Sequence, residues 1–169
     1  MENQTEETPD YGVDMNQGFD FGNLNPDEVE VDETINVLIV VDTSSSVDSY
    51  VNELNDSING FISQMQKSHH AEKIMLSFLT FSNANNINVL NGFQPIASVP
   101  TQNFAPLIGG CTALYDGVLK GLTNAIDYRD KLDNTGVETK TLLFVITDGQ
   151  DNDSQNPPNS VKMVIDKLN

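Results

Sequence analysis

From Thr34 onward the chain alternates short apolar runs with longer stretches whose apolar residues recur every three or four positions. Ile35 to Val41 (INVLIVV) is almost continuously apolar and rich in Val and Ile. That is the pattern of a strand covered on both faces, as in a parallel sheet. Val47, Val51, Leu54, Ile58, Ile62 and Met65 follow at helical spacing. Ile74 to Phe81 predicts a second strand, and the polar turn Ser82-Asn83-Ala84-Asn85-Asn86 leads into Ile87 to Leu90, which reads as a hairpin with an antiparallel edge strand. An irregular stretch holding Pro95, Pro100 and Pro106 ends at Gly109-Gly110. Leu114, Val118, Leu122 and Ile126 then mark one face of a further helix, and Thr141 to Ile146 (TLLFVI) reads as another buried strand. Pro157-Pro158 with Asn159 or Ser160 starts a last helix bearing Val161, Val164, Ile165 and Leu168. This alternation predicts an α/β fold: a doubly wound, Rossmann-like sheet, mostly parallel, with one antiparallel edge strand.

Residues 1–33 have a different character. They hold eleven of the 25 acidic residues and no Lys or Arg, with Gly12, Gly18, Gly22, Pro9 and Pro26 and few apolar residues in any period. Such a segment cannot bury enough surface to offset its ordering entropy, so a disordered acidic tail is expected there and one domain over 34–169. The remaining fourteen acids face eight bases, an ordinary balance, so the formal net charge of -17 belongs mainly to the tail. That charge argues against nucleic acid or an anionic membrane as partner, since both repel a negative surface. The N-terminus has neither the positive flank nor the apolar core of a signal peptide, and no apolar run is long enough to span a bilayer. The single cysteine, Cys111, forms no intrachain disulfide. A cytoplasmic protein is the expectation these features give.

Three short motifs stand where an α/β fold places its ligands, at the carboxyl ends of parallel strands. Asp42-Thr43-Ser44-Ser45-Ser46 follows the first strand, Gly109-Gly110-Cys111-Thr112 precedes the central helix, and Thr147-Asp148-Gly149 ends the later strand. In extended backbone, residues i, i+2 and i+4 face the same way, so Asp42, Ser44 and Ser46 converge while Thr43 and Ser45 point elsewhere. The paired glycines let the backbone pass close to an ion and bring in Thr112, and Asp148 closes the site. Two carboxylates and three hydroxyls form a hard, oxygen-only set that suits Mg²⁺ or Mn²⁺ rather than Zn²⁺.

Asp-x-Ser-x-Ser, Gly-x-Thr and Thr-Asp-Gly in this order resemble the metal-ion-dependent adhesion site of von Willebrand factor A domains. The resemblance covers residues 35–169, and Gly-Cys-Thr-Ala-Leu-Tyr-Asp-Gly (110–117) looks closer to bacterial and phage cytoplasmic members than to animal adhesion receptors. It implies a magnesium-dependent protein-binding module rather than an enzyme. It also implies that Ser44, Ser46 and Thr112 coordinate the ion, that Asp42 and Asp148 act largely through water, and that a partner protein's Asp or Glu fills the last position. The family's sheet continues beyond the strand at 141–146. That strand would otherwise be an apolar edge, so the domain is expected to be C-terminally incomplete, with either further chain after Asn169 or a second copy covering the edge.

Plainer readings stand beside these. Asp42 and its serines are also good helix caps. Cys111 is expected to be a small buried filler, His69-His70 a solvated turn, and Asp151-Asn152-Asp153 a polar loop or, less simply, a rim for a partner. The tail's Asp27, Glu28, Glu30, Asp32 and Glu33 would serve as solubilising charge or as an internal ligand for the ion. The rival function is a Mg²⁺-dependent phosphotransferase or phosphatase resembling the haloacid dehalogenase class, which needs Asp where this chain has Ser44. A scaffold subunit beside an ATPase or kinase is a further binding role. A serine hydrolase would need a Gly-x-Ser-x-Gly elbow that the chain lacks.

Overall fold

A computed structural model describes residues 33–167, and its organising element is the strand β1 (Glu33–Asp42). Every residue of that strand from Asn36 to Asp42 is buried. β1 pairs in parallel with β2 (Ile74–Phe81) on one side and with β4 (Glu138–Ile146) on the other. β3 (Ile87–Pro95) adds antiparallel to β2, so the sheet order is β3-β2-β1-β4. A mostly parallel α/β sheet with one antiparallel edge is therefore what the apolar pattern encoded. The expected disordered tail lies outside the described residues except for Glu33. That residue opens β1 and receives hydrogen bonds from Lys73 and Lys140, which hold its carboxyl below the usual range.

Alternation along β1 sends its side chains to two cores. Val37, Ile39 and Val41 pack with Leu76 and Phe78 against α1 (Val51–Gln66), through Val51, Leu54, Ile58 and Ile62. Leu38 and Val40 pack with Leu79, Phe81 and Phe93 against α2 (Leu114–Asp133), through Ala125, Tyr128 and Leu132. The 3₁₀ segment Ser45–Tyr50 precedes α1 and buries Val47, so the helix expected from Val47 to Met65 is realised in two pieces. His69 and His70 lie exposed in a turn, as their polar setting implies.

The stripe Leu114, Val118, Leu122 and Ile126 divides between two cores, and Leu114 packs with the one between α2 and the sheet. Val118, Leu122 and Ile126 turn toward α3 (Pro158–Lys167), meeting Val161 and Val164. The face against the sheet also carries Gly117 and Gly121, where an added Cβ would lie 2.7 Å from Phe81 and 2.8 Å from Val40. Glycine has no hydrophobicity to register in a periodic pattern, and here it is selected by the close approach of helix to strand. Ile165 is exposed on α3, and the side chain of Leu168 lies outside the described residues.

One expectation needs correction: β4 is not the buried strand its apolar run predicts. Among the described residues it pairs only with β1, and Leu142, Phe144 and Val145 are 48%, 43% and 39% exposed. It is an apolar edge.

The glycine packing gives a paired test. Gly60 is exposed on α1 with nothing within 4 Å of an added Cβ, so Gly60→Ala should stabilise the fold by about 1 kcal/mol through helix propensity. Gly117→Ala makes the same propensity gain but drives a methyl into Phe81, with an overpacking penalty of about 1–3 kcal/mol. Urea unfolding midpoints should therefore move in opposite directions for the two variants.

Candidate metal centre

The carboxyl ends of β1 and β4 and the loop before α2 meet at one end of the sheet. Asp42, the last residue of β1, is 1% exposed. A carboxylate so enclosed needs donors, and both of its oxygens have one. Oδ1 accepts the Ser44 amide at 2.8 Å, and Oδ2 accepts the Thr147 hydroxyl at 2.8 Å. Thr43 turns the other way, donating its amide and hydroxyl to the carbonyl of Phe81 at 2.8 and 3.0 Å.

Ser44 and Ser46 do converge, with their hydroxyl oxygens 3.1 Å apart. The cause differs from the alternation expected. Ser44 is extended (φ -64°, ψ 165°), but the 3₁₀ segment begins at Ser45, so a helical turn brings Ser46 round. Ser46 donates onward to Asp148 Oδ1 at 3.0 Å. The Tyr50 hydroxyl lies near Asp148, and burial followed by the charge of Asp148 pushes its pKa up to about 12. Sequence reasoning gave Tyr50 no role. Four of the five expected residues, Asp42, Ser44, Ser46 and Asp148, thus form one connected run.

Thr112 reaches the run through backbone. Gly109 donates its amide to the Thr43 carbonyl at 2.9 Å, and Ser45 donates its amide to the Gly110 carbonyl at 3.1 Å. Gly110 has φ +86°, a left-handed conformation that favours glycine, and a Cβ there would press on Asn83 at 3.1 Å. Thr112 is 5% exposed. Cys111 beside it is exposed, which corrects the expectation of a buried filler: the neighbours turned inward are Thr112 and Ala113.

The Asp151-Asn152-Asp153 loop is far more engaged than a plain polar turn. Ala113, at the N-cap of α2, makes no side-chain cap. The first amides of α2 are satisfied from 37 to 39 residues away: Leu114 donates to Asp151 Oδ1 at 2.9 Å, while Tyr115 and Asp116 donate to Ser154 Oγ at 3.0 and 3.3 Å. Asp116, itself buried, accepts the amides of Gln155 and Asn156 at 2.8 and 2.9 Å. Asp153 accepts the Ala84 amide at 2.9 Å. Asp, Asn and Ser are preferred caps, but capping is read in sequence from residues next to the helix, so a cap supplied in trans leaves no local signal.

The donor set is two carboxylates and three hydroxyls, chemistry that fits a small hard cation. Among the described residues no group of three or more His, Cys, Asp or Glu side chains could hold a metal ion, so any ion at this centre depends on the hydroxyls.

Comparison with known proteins agrees with the fold. Residues 36–169 match the model of the von Willebrand factor type A domain. No curated protein matches the sequence. Among solved structures, the pilus adhesin SpaC of Lactobacillus rhamnosus GG, in an open conformation, aligns with a TM-score of 0.59 at 16% identity, over 70% of this chain and 15% of that one. Proximal thread matrix protein 1 of the mussel byssus aligns with a TM-score of 0.51 at 17% identity, over 80% of this chain and 34% of that one. The chain thus spans well under half the length of either, and at these identities the likeness is one of fold. Among the described residues no helix is long and apolar enough to cross a membrane.

The exposure of Cys111 has a direct check. A chromogenic disulfide reagent added to the native chain should release one thiol equivalent without denaturant. Release only after unfolding would place the thiol inside and the 109–112 loop elsewhere.

Proposed function

We propose that this chain, which belongs to the von Willebrand factor type A domain family, a family of protein-interaction modules, binds a partner protein through a divalent cation. The observation that carries this reading is the run from Ser44 Oγ through Ser46 Oγ to Asp148 Oδ1, seated over the buried Asp42. Ser44, Ser46 and Thr112 would hold Mg²⁺ or Mn²⁺ with Asp42 and Asp148 beside them. When bound, the ion would supply a Lewis-acidic position for an Asp or Glu carboxylate of the partner. Asp42 keeps the Ser44 loop in place through the amide it accepts, and Ser46 and Asp148, both exposed, face the approaching group. A partner lacking a carboxylate would leave that position to water.

Binding fits the site better than phosphoryl transfer. A nucleophilic Asp42 would need a free oxygen, yet both of its oxygens accept hydrogen bonds and it is 1% exposed. Ser44 stands where the second acid of that chemistry belongs, so no residue is assigned a catalytic role. A scaffold subunit beside an ATPase or kinase would use the same site with a different partner. The open edge of β4 offers a second contact, through which two copies would pair strand to strand.

Mg²⁺ or Mn²⁺ should raise the melting temperature by mass action. A concentration a hundredfold above Kd adds about 2.7 kcal/mol, on the order of ten degrees for a domain of this size, and Ca²⁺ should add less. Ser44→Ala and Asp148→Ala should each remove the shift. Equal shifts in the wild type and in both variants would sink the assignment.

A further inference from the structure

Asn152 is exposed and is not among the five residues of the candidate centre, yet it holds one of them from both sides. Its Oδ1 accepts the Thr112 amide at 2.8 Å, and its own amide donates to the Thr112 carbonyl at 2.9 Å. The Asp153 amide donates to the same carbonyl at 3.1 Å. Thr112 therefore has both of its backbone polar groups satisfied by one short segment some forty residues away. That segment begins four residues after Asp148, on the same loop out of β4. Its far end is fixed in turn. Ser154 and Asp151 bond to each other and cap α2, and Asp116 grips the amides of Gln155 and Asn156.

We propose that Asn152 is a positioning residue for the cation: it sets the Thr112 hydroxyl relative to Asp148, and ion affinity depends on it although it does not ligate. This rests on the metal-dependent reading of the site. The physical reason lies in the two ends of the segment. The glycines at 109 and 110 leave the approach to Thr112 with little intrinsic preference for one conformation, so the loop needs an external constraint. The pair of bonds to Asn152 supplies one that also ties Thr112 to the loop carrying Asp148. Partners that orient ligands in this way matter to affinity: losing one typically costs on the order of 10–100-fold in metal binding.

Mn²⁺ binding to the full chain, read by electron paramagnetic resonance and by water-proton relaxation well below the melting temperature, tests the proposal. Asn152→Leu removes the acceptor with little change in volume and should weaken Mn²⁺ binding on the order of 10–100-fold. Asn152→Asp keeps an oxygen facing the Thr112 amide and should retain binding, whereas a purely structural role would not distinguish the two. Thr112→Val with Asn152→Leu should bind no more weakly than Thr112→Val alone, because both act through one hydroxyl. If the Leu variant does not fold, Asn152→Ala leaves room for water at the Thr112 amide and should show the same loss. Wild type and Asp42→Ala binding Mn²⁺ alike, or not at all, would overturn the metal reading and this proposal with it. A wild type that binds, beside a folded Asn152→Leu or Asn152→Ala variant that binds equally well, would overturn this proposal alone. So would strictly additive losses in the double variant.

Discussion

The carboxylate of Asp42 is the constraint around which the upper end of this molecule is arranged. It terminates the central strand, where β2 and β4 flank it, and almost no solvent reaches it. A charge in that position is tolerated only if donors replace water. The donors come from two directions: the Ser44 amide from the loop after β1, and the Thr147 hydroxyl from the loop after β4. Satisfying one buried charge thus fixes the relation of two loops that sequence separates by about a hundred residues. Ser46 and Asp148, one on each loop, come into contact as a consequence.

The third loop is held by other means. Its backbone bonds to Thr43 and Ser45 on one side and to Asn152 and Asp153 on the other. Its height above the sheet depends on α2, which follows it directly. Gly117 and Gly121 let that helix settle against Phe81 and Val40. Phe81 closes β2, and its carbonyl receives the amide and hydroxyl of Thr43. The packing of α2 and the course of the Asp42 loop therefore share one strand end. A substitution that lifts α2 would disturb the site without touching any oxygen in it.

Much of this was legible in the sequence because it follows from local periodicity. The strands around Val37, Leu76 and Phe144 announce themselves as apolar runs, and Asp42, Ser44, Ser46, Thr112 and Asp148 as short motifs at strand ends. What could not be read depends on contacts between distant segments. Gly117 and Gly121 look like breaks in an apolar stripe until the helix is laid on the sheet. Asp151 and Ser154 look like loop residues until α2 is seen to lack a cap of its own. Tyr50 enters only because the 3₁₀ segment ending there brings its hydroxyl within the influence of Asp148. Asn36 is the reverse case: a polar residue inside an apolar run, wholly buried, with neither side-chain atom bonded among the described residues.

The centre divides into a fixed part and an accessible part, and the division follows the sheet. Asp42, Ser44 and Thr112 are buried against β1, β2 and α2, where neighbours on every side limit their motion. Ser46 and Asp148 are exposed, on the side where β4 has no further strand among the described residues. Along that side an apolar groove of about 480 Å³ runs between α1 and β4, from Tyr50 and Ile146 down to Phe61 and Phe144. Phe61 and Phe144 meet there edge to face. Tyr50 lines this groove at its end nearest Asp148. The groove thus opens beside the exposed half of the centre, while Asp42, Ser44 and Thr112 stay buried behind it.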